Sequence, residues 1–203
     1  METEFELLKL DEQLDLVADL ISISNTSDYI AIKPFVTRVI TTIEERNGEC
    51  DVHAFIALCH LFAKYEKGIQ QRKIEDYEVM FKLSTIIANV TSKLSSSLGF
   101  YTDQINQRTL EKFFEAIDNI DDAKLAHEFE HLLESLLGVL HRHSIEHLWN
   151  DSLLSKFEAC VGSKRLTRLE SKAKEIASKL DQRENQLYEA QKYPDIISLK
   201  EPL

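Results

Sequence analysis

Glycine and proline are so scarce in this chain that most architectures are closed to it: 203 residues contain 5 Gly and 3 Pro. A β-sandwich or barrel reverses direction every few residues and needs a turn former at each reversal. Leu, Ile, Glu and Lys, which lose little side-chain freedom in a helix or pack well against one, are used freely instead. The expected fold is therefore all-α, with about seven or eight helices in an antiparallel bundle or a short stack of helix pairs. A hydrophobic fraction of 43% beside 29% charged residues supports a packed core rather than a disordered chain.

Apolar residues at intervals of three and four mark the segments. Phe5, Leu8, Leu14, Val17 and Ile21 trace a first helix over residues 3–23, with Asp11 able to cap a break within it. A polar turn of Asn25, Thr26, Ser27 and Asp28 follows. Pro34 predicts the first position of a second helix, because proline lacks the amide that a helix interior uses and disfavours helix at the residue before it. That helix stops at Asn47-Gly48. Asp51 caps a third, ended by Gly68; a fourth spans Lys73 to Leu98. Asp103 opens a fifth, and Asp121 or Asp122 a sixth that either reaches Trp149 or breaks near His143. Asp151 or Ser152 caps a seventh ending at Gly162, and Ser163 caps the last, which runs to Lys192 before Pro194. The reading divides the chain into a helical domain (1–162), a long C-terminal helix (163–192) and an extended tail (193–203).

The last helix has the most regular pattern. Leu166, Leu169, Ala173, Ile176, Leu180, Arg183, Leu187 and Ala190 alternate spacings of three and four, the heptad interval that keeps a narrow seam facing one partner helix. Two readings stay open: the seam packs on the chain's own helices, or it forms a coiled coil with another chain, a second copy included. From Ser163 to Arg183 the local net charge is +4, whereas from Met1 to Asp28 it is -7, so the two ends attract each other or opposite partners. Lys164 and Arg165 fall where the first turn of that helix is expected, a position that disfavours positive charge.

His127-Glu128-Phe129-Glu130-His131 satisfies His-Glu-x-x-His. Two imidazoles one turn apart can bind zinc while the adjacent Glu takes a proton from a metal-bound water. Glu134, His141 or His143 are candidates for the further ligand, and Glu128 with His131 also forms the Glu-x-x-His pair of di-iron bundles. Against a metal site, Leu125, Phe129, Leu132, Leu136 and Leu140 define the core face of this helix, which puts His127, His131, Glu134 and His141 on the other side. A second Glu-x-x-His is also missing. His143 and His147 would turn inward if the helix continues, and His53 and His60 read likewise as core histidines.

A net charge of -11 disfavours nucleic acid and anionic membranes as partners. No stretch has the length and apolarity of a membrane span, and Met1 to Leu10 carries acidic residues where a signal peptide has basic ones. Cys50, Cys59 and Cys160 form no Cys-x-x-Cys pair; Cys59 and Cys160 lie in apolar runs and read as buried thiols of a reducing cytoplasmic or nuclear protein, in which the sequons at Asn25, Asn89 and Asn150 are accidental. The expected function is a non-enzymatic interaction subunit, an adaptor or structural member of a protein complex, without cofactor. Its expected contact residues are Leu166, Leu169, Ile176, Leu180 and Leu187 on the last helix and Ile196 and Ile197 in the tail. The alternative is a zinc- or iron-dependent helical enzyme, or metal-binding protein, centred on His127, Glu128 and His131.

Overall fold

Short polar side chains set where the helices begin. Asp51 accepts from the amide of Ala54 at 2.8 Å, Asn106 from Thr109 at 3.0 Å and Asn150 from Leu153 at 2.8 Å, each satisfying a donor that the first turn leaves open. In a computed structural model that describes residues 5–23, 26–72 and 76–192, these caps introduce three of eight helices. They are α1 (Leu10–Ile23), α2 (Thr26–Glu45), α3 (Val52–Arg72), α4 (Tyr77–Ser97), α5 (Gln107–Asp118), α6 (Ala126–Arg142), α7 (Asp151–Ser163) and α8 (Thr167–Lys192). Turns of 3-10 helix lie at Leu98–Gln104, Ala123–Leu125 and Glu146–Leu148. The all-α expectation holds, with no strand among the described residues. None of the described helices is long and apolar enough to cross a membrane.

Several boundaries differ from the sequence expectation, each for a local reason. Pro34 lies inside α2 instead of opening it. An interior proline costs about 3 kcal/mol, but Ile32 and Val36 on either side of it are buried, and burying each such side chain is worth roughly 1.5–3 kcal/mol. Gly68 does not end α3, because Ile69 beyond it still reaches the core. Asn106 and Asn150, rather than Asp103 and Asp151 or Ser152, cap α5 and α7. Ser163 is the last residue of α7, not the cap of α8.

Helices two apart in sequence pack side by side. α1, α3, α5 and α7 form one layer; α2, α4, α6 and, more thinly, α8 form the other. The layers are joined where α1 meets α2, α3 meets α4 and α7 meets α8. The described residues form an all-α bundle of eight helices in two layers, within the architecture expected. α2 and α4 run parallel: Lys33 meets Asp76 near one end, and Gly48 abuts Asn89 near the other. Through the first layer runs an aromatic series. Phe55 of α3 packs on Phe113 of α5 with centroids 5.2 Å apart, and Phe114 packs on Phe157 of α7 at 5.3 Å. Trp149 closes the series, stacked on Phe114 at 6.0 Å and edge-on to Phe157 at 5.5 Å. Each such pair adds about 0.5–1.5 kcal/mol beyond its buried area.

Three helices end in the same cap. Asn47, Ser144 and Arg165 have φ of 53, 55 and 54°, and the next residue in each case donates back five positions, Gly48 to Ile43, Ile145 to Leu140 and Leu166 to Val161. The left-handed position is occupied each time by a residue with a Cβ, at a cost of about 1–2 kcal/mol.

Asp76 is the polar junction of the fold. Its buried carboxylate accepts from Tyr65 of α3 at 2.8 Å, pairs with Lys33 of α2 at 2.9 Å and accepts from the Val79 amide at 3.5 Å to cap α4. Burial by itself pushes the Asp76 carboxyl up, but the hydrogen bonds from Lys33 and Tyr65 and the charge of Lys33 outweigh it, leaving the pKa below its ordinary 3.8. The native state thus holds this proton less tightly than the unfolded chain. Its stabilisation is complete above the ordinary value and is lost as pH falls through the depressed native one.

Two stability measurements follow from these features. Asp76→Asn is expected to lower unfolding free energy at neutral pH by about 1–3 kcal/mol, with the gap to wild type closing below about pH 4; a gap that persists or grows in acid contradicts the assignment. Arg165→Gly is expected to raise stability by about 0.5–1 kcal/mol in urea unfolding, because only glycine takes this φ without strain.

Candidate functional site

The site builds from the α6–α8 pairing. α6 turns Phe129, Leu132, Leu133, Leu136, Val139 and Leu140 into the core. Glu130, on the flank of α6, accepts from the backbone amide of Arg168 at 3.1 Å, placing a carboxylate at the N-terminus of α8 where the helix dipole favours it. Lys164 resolves the charge conflict expected there. It precedes α8 altogether and donates to the carbonyls of Asp118 and Ile120 at the C-terminal end of α5, an end that attracts a cation.

Between α6 and α8 lies a groove of about 540 Å³. Leu137, Leu140, Leu169 and Ile176 supply apolar lining, with Trp149 beside them. Gly138 leaves its wall low: a Cβ there would meet nothing closer than the flexible end of Arg142, at 3.4 Å. The rim is charged. Glu175 bridges Lys172 at 3.0 Å and Lys179 at 3.1 Å, and Glu146 lies 3.3 Å from His141 and 4.0 Å from Lys179. These pairs are exposed and contribute little stability; they set the charge that an incoming surface meets.

The heptad seam divides in two. Leu166, Leu169, Ala173 and Leu180 are buried in the one continuous core, with Ile176 half-buried against it. As partner contacts, Leu166, Leu169 and Leu180 are therefore corrected: they are sealed under α8 by the chain's own helices. Ile176 still lines the groove. At Arg183 the seam changes character, and the guanidinium donates to the Trp149 carbonyl at 2.9 Å. Beyond it Leu187 is 57% exposed and Tyr188 66%. The reason is length. At 1.5 Å per residue α7 extends about 20 Å and α8 about 39 Å, so α8 outruns its companion and every described side chain from Asp181 to Tyr188 is exposed. Ile196 and Ile197, with the tail 193–203, lie outside the described residues, as does the Ala190 side chain.

His127 and His131 stand edge to face on the exposed side of α6, ring centroids 5.0 Å apart. Glu134 is exposed as well, and among the described residues no three His, Cys, Asp or Glu side chains gather closely enough to hold a metal ion. Glu128 Oε2 is buried and makes no hydrogen bond. Because α6 ends at Arg142, His143 and His147 do not turn inward; both are exposed, as is His53, and only His60 is half-buried. The core reading of His53 is corrected accordingly, and the condition for turning His143 and His147 inward is not met. All three cysteines are buried free thiols, Cys50 included; burial pushes Cys50 and Cys160 up to about 12 and raises Cys59 well above its usual value.

The sequence reading missed the groove itself. Gly138, alone among Leu136, Leu137, Val139 and Leu140, was the available signal: an isolated glycine in a helical run costs about 1 kcal/mol and marks a place where space matters.

If the paired imidazoles bind nothing tightly, purified protein equilibrated with zinc and desalted carries less than one equivalent, and His127→Ala/His131→Ala leaves that content unchanged. One equivalent of metal that disappears in the double variant would reverse this reading. In comparisons with protein-family models, curated proteins and solved structures, the chain matches none.

Proposed function

We propose that this chain is a non-enzymatic interaction subunit that engages another protein through the distal half of α8. One observation carries the reading: α8 continues past the end of α7 and presents Leu187 and Tyr188 to solvent. Leu180 and Leu187 are seven residues apart, so the seam that packs internally up to Leu180 is prolonged outward in the same register. A helical extension of this length is marginal in water alone and gains stability from a companion helix. The groove between α6 and α8 lies alongside the same helix and offers Ile176 and Leu137 to a partner running back along it. The buried free thiols support a reducing compartment, cytoplasm or nucleus, as the working location.

Truncation after Glu184, which keeps Arg183 on the Trp149 carbonyl, and the full-length variant Leu187→Glu/Tyr188→Glu test the proposal together. Both are expected to keep wild-type unfolding stability to within about 0.5 kcal/mol, while losing any stoichiometric partner that co-purifies with the intact chain. Unfolding of the truncated chain would assign distal α8 to the protein's own core. Retention of every stoichiometric partner by the double variant would remove α8 as the contact.

A further inference from the structure

α8 has two halves of matching length. Its first half forms one wall of the α6–α8 groove, which it lines from Arg168 to Lys179. Its second half, Asp181 to Lys192, is an overhang whose described side chains are all exposed. Each stretch covers eleven helical steps, a rise of about 17 Å. The groove therefore has the length of the helix that projects beyond it.

The two halves also share a face. Leu187 follows Ile176 by eleven residues, which at about 100° per residue is three turns and a small remainder. The exposed Leu187 thus prolongs the line on which Ile176 opens into the groove. Turning a second α8 end for end about the point between Asp181 and Gln182 sets Leu187 of each copy level with Ile176 of the other. A two-fold axis at that point makes the contact twice, as an isologous interface requires. Opposite α8, Leu137 completes the apolar lining and Gly138 leaves clearance for an incoming helix.

Charge selects the direction. From Thr167 to Leu180, α8 carries Arg168, Lys172, Lys174 and Lys179 against Glu170 and Glu175, a net of +2. From Asp181 to Lys192 it carries Asp181, Glu184 and Glu189 against Arg183 and Lys192, a net of -1. Antiparallel pairing sets unlike halves together, whereas parallel pairing sets like against like and leaves both grooves empty. An unrelated helix in the groove would leave the overhang still uncovered; a second copy covers both at once. We infer that the chain pairs with a second copy of itself, the overhang of α8 in each copy lying antiparallel in the α6–α8 groove of the other. Leu187 is then buried against Ile176 and Leu137 of the opposite copy. The inference rests on the reading of distal α8 as a contact surface and names its occupant.

Sedimentation equilibrium of the full chain, from about 1 to 100 µM, supplies the test. Wild type is expected to form a dimer in this range. Leu187→Glu spoils the overhang and Gly138→Phe fills the groove; each is expected to weaken self-association by at least about tenfold with an unchanged circular dichroism spectrum. If Gly138→Phe fails to fold, Gly138→Gln replaces it, since glutamine favours helix more than glycine does. An equimolar mixture of the overhang and groove variants is expected to associate more tightly than either alone, because the intact groove of one accepts the intact overhang of the other. A chain that stays monomeric throughout overturns the inference, as does a dimer that survives both variants. A dimer lost with Leu187→Glu but kept by the groove variants places the overhangs outside the groove and overturns it too, as does a mixture no tighter than its components. A monomeric wild type that loses a co-purifying protein on truncation after Glu184 refutes self-pairing while leaving distal α8 as the contact.

Discussion

Asp76 holds the two layers in register. Its carboxylate takes a hydroxyl from α3, an ammonium from α2 and a free amide from the first turn of α4, so three helices meet at one buried group. An unpaired carboxylate there would cost several kcal/mol. The penalty makes the junction selective: α2 and α4 must lie parallel at the offset that brings Lys33 to Asp76, an offset that also seats Gly48 against Asn89. Apolar burial supplies most of the driving force, but it tolerates a helix sliding or rotating by part of a turn. A buried carboxylate that needs the Lys33 ammonium and two neutral donors around it does not.

The exposed apolar features lie where this packing runs out. A helix inside a layer has neighbours on both sides. Among the described residues no helix lies beyond α1, where the layer begins, and α8 outruns α7, which is half its length. The α6–α8 groove has the same origin, since the second layer is thinnest at that pairing and Gly138 withholds a side chain from it. Each exposed apolar feature is thus the unsatisfied side of an element whose other side is fully buried. His127 and His131 lack that character: they stand on the polar face of a helix whose core face is complete.

The sequence signals that succeeded were local. Asp51 and Asp122 accept from their own helix starts, Asn47-Gly48 ends α2, and His143 marks the end of α6, because caps and left-handed stops depend on a few consecutive residues. The signals that failed were local rules overruled at a distance. Pro34 should open a helix, but burial of Ile32 and Val36 carries α2 through it. Gly68 should close α3, but Ile69 still has core to reach. Lys164 looked misplaced at a helix start until its carbonyl partners on α5, more than forty residues away, came into view.

By itself the sequence determined that the chain is helical, roughly where each helix lies, and that the last one carries a heptad seam. Side-chain spacing and cap chemistry are written within a single element, and those properties need nothing more. The tertiary structure alone decided that the seam is buried up to Leu180 and exposed at Leu187, and that α6 and α8 leave a groove. Whether an apolar face is covered depends on the length and placement of neighbouring helices. Periodicity along one helix records which residues share a face, but holds no information about how far the neighbour extends.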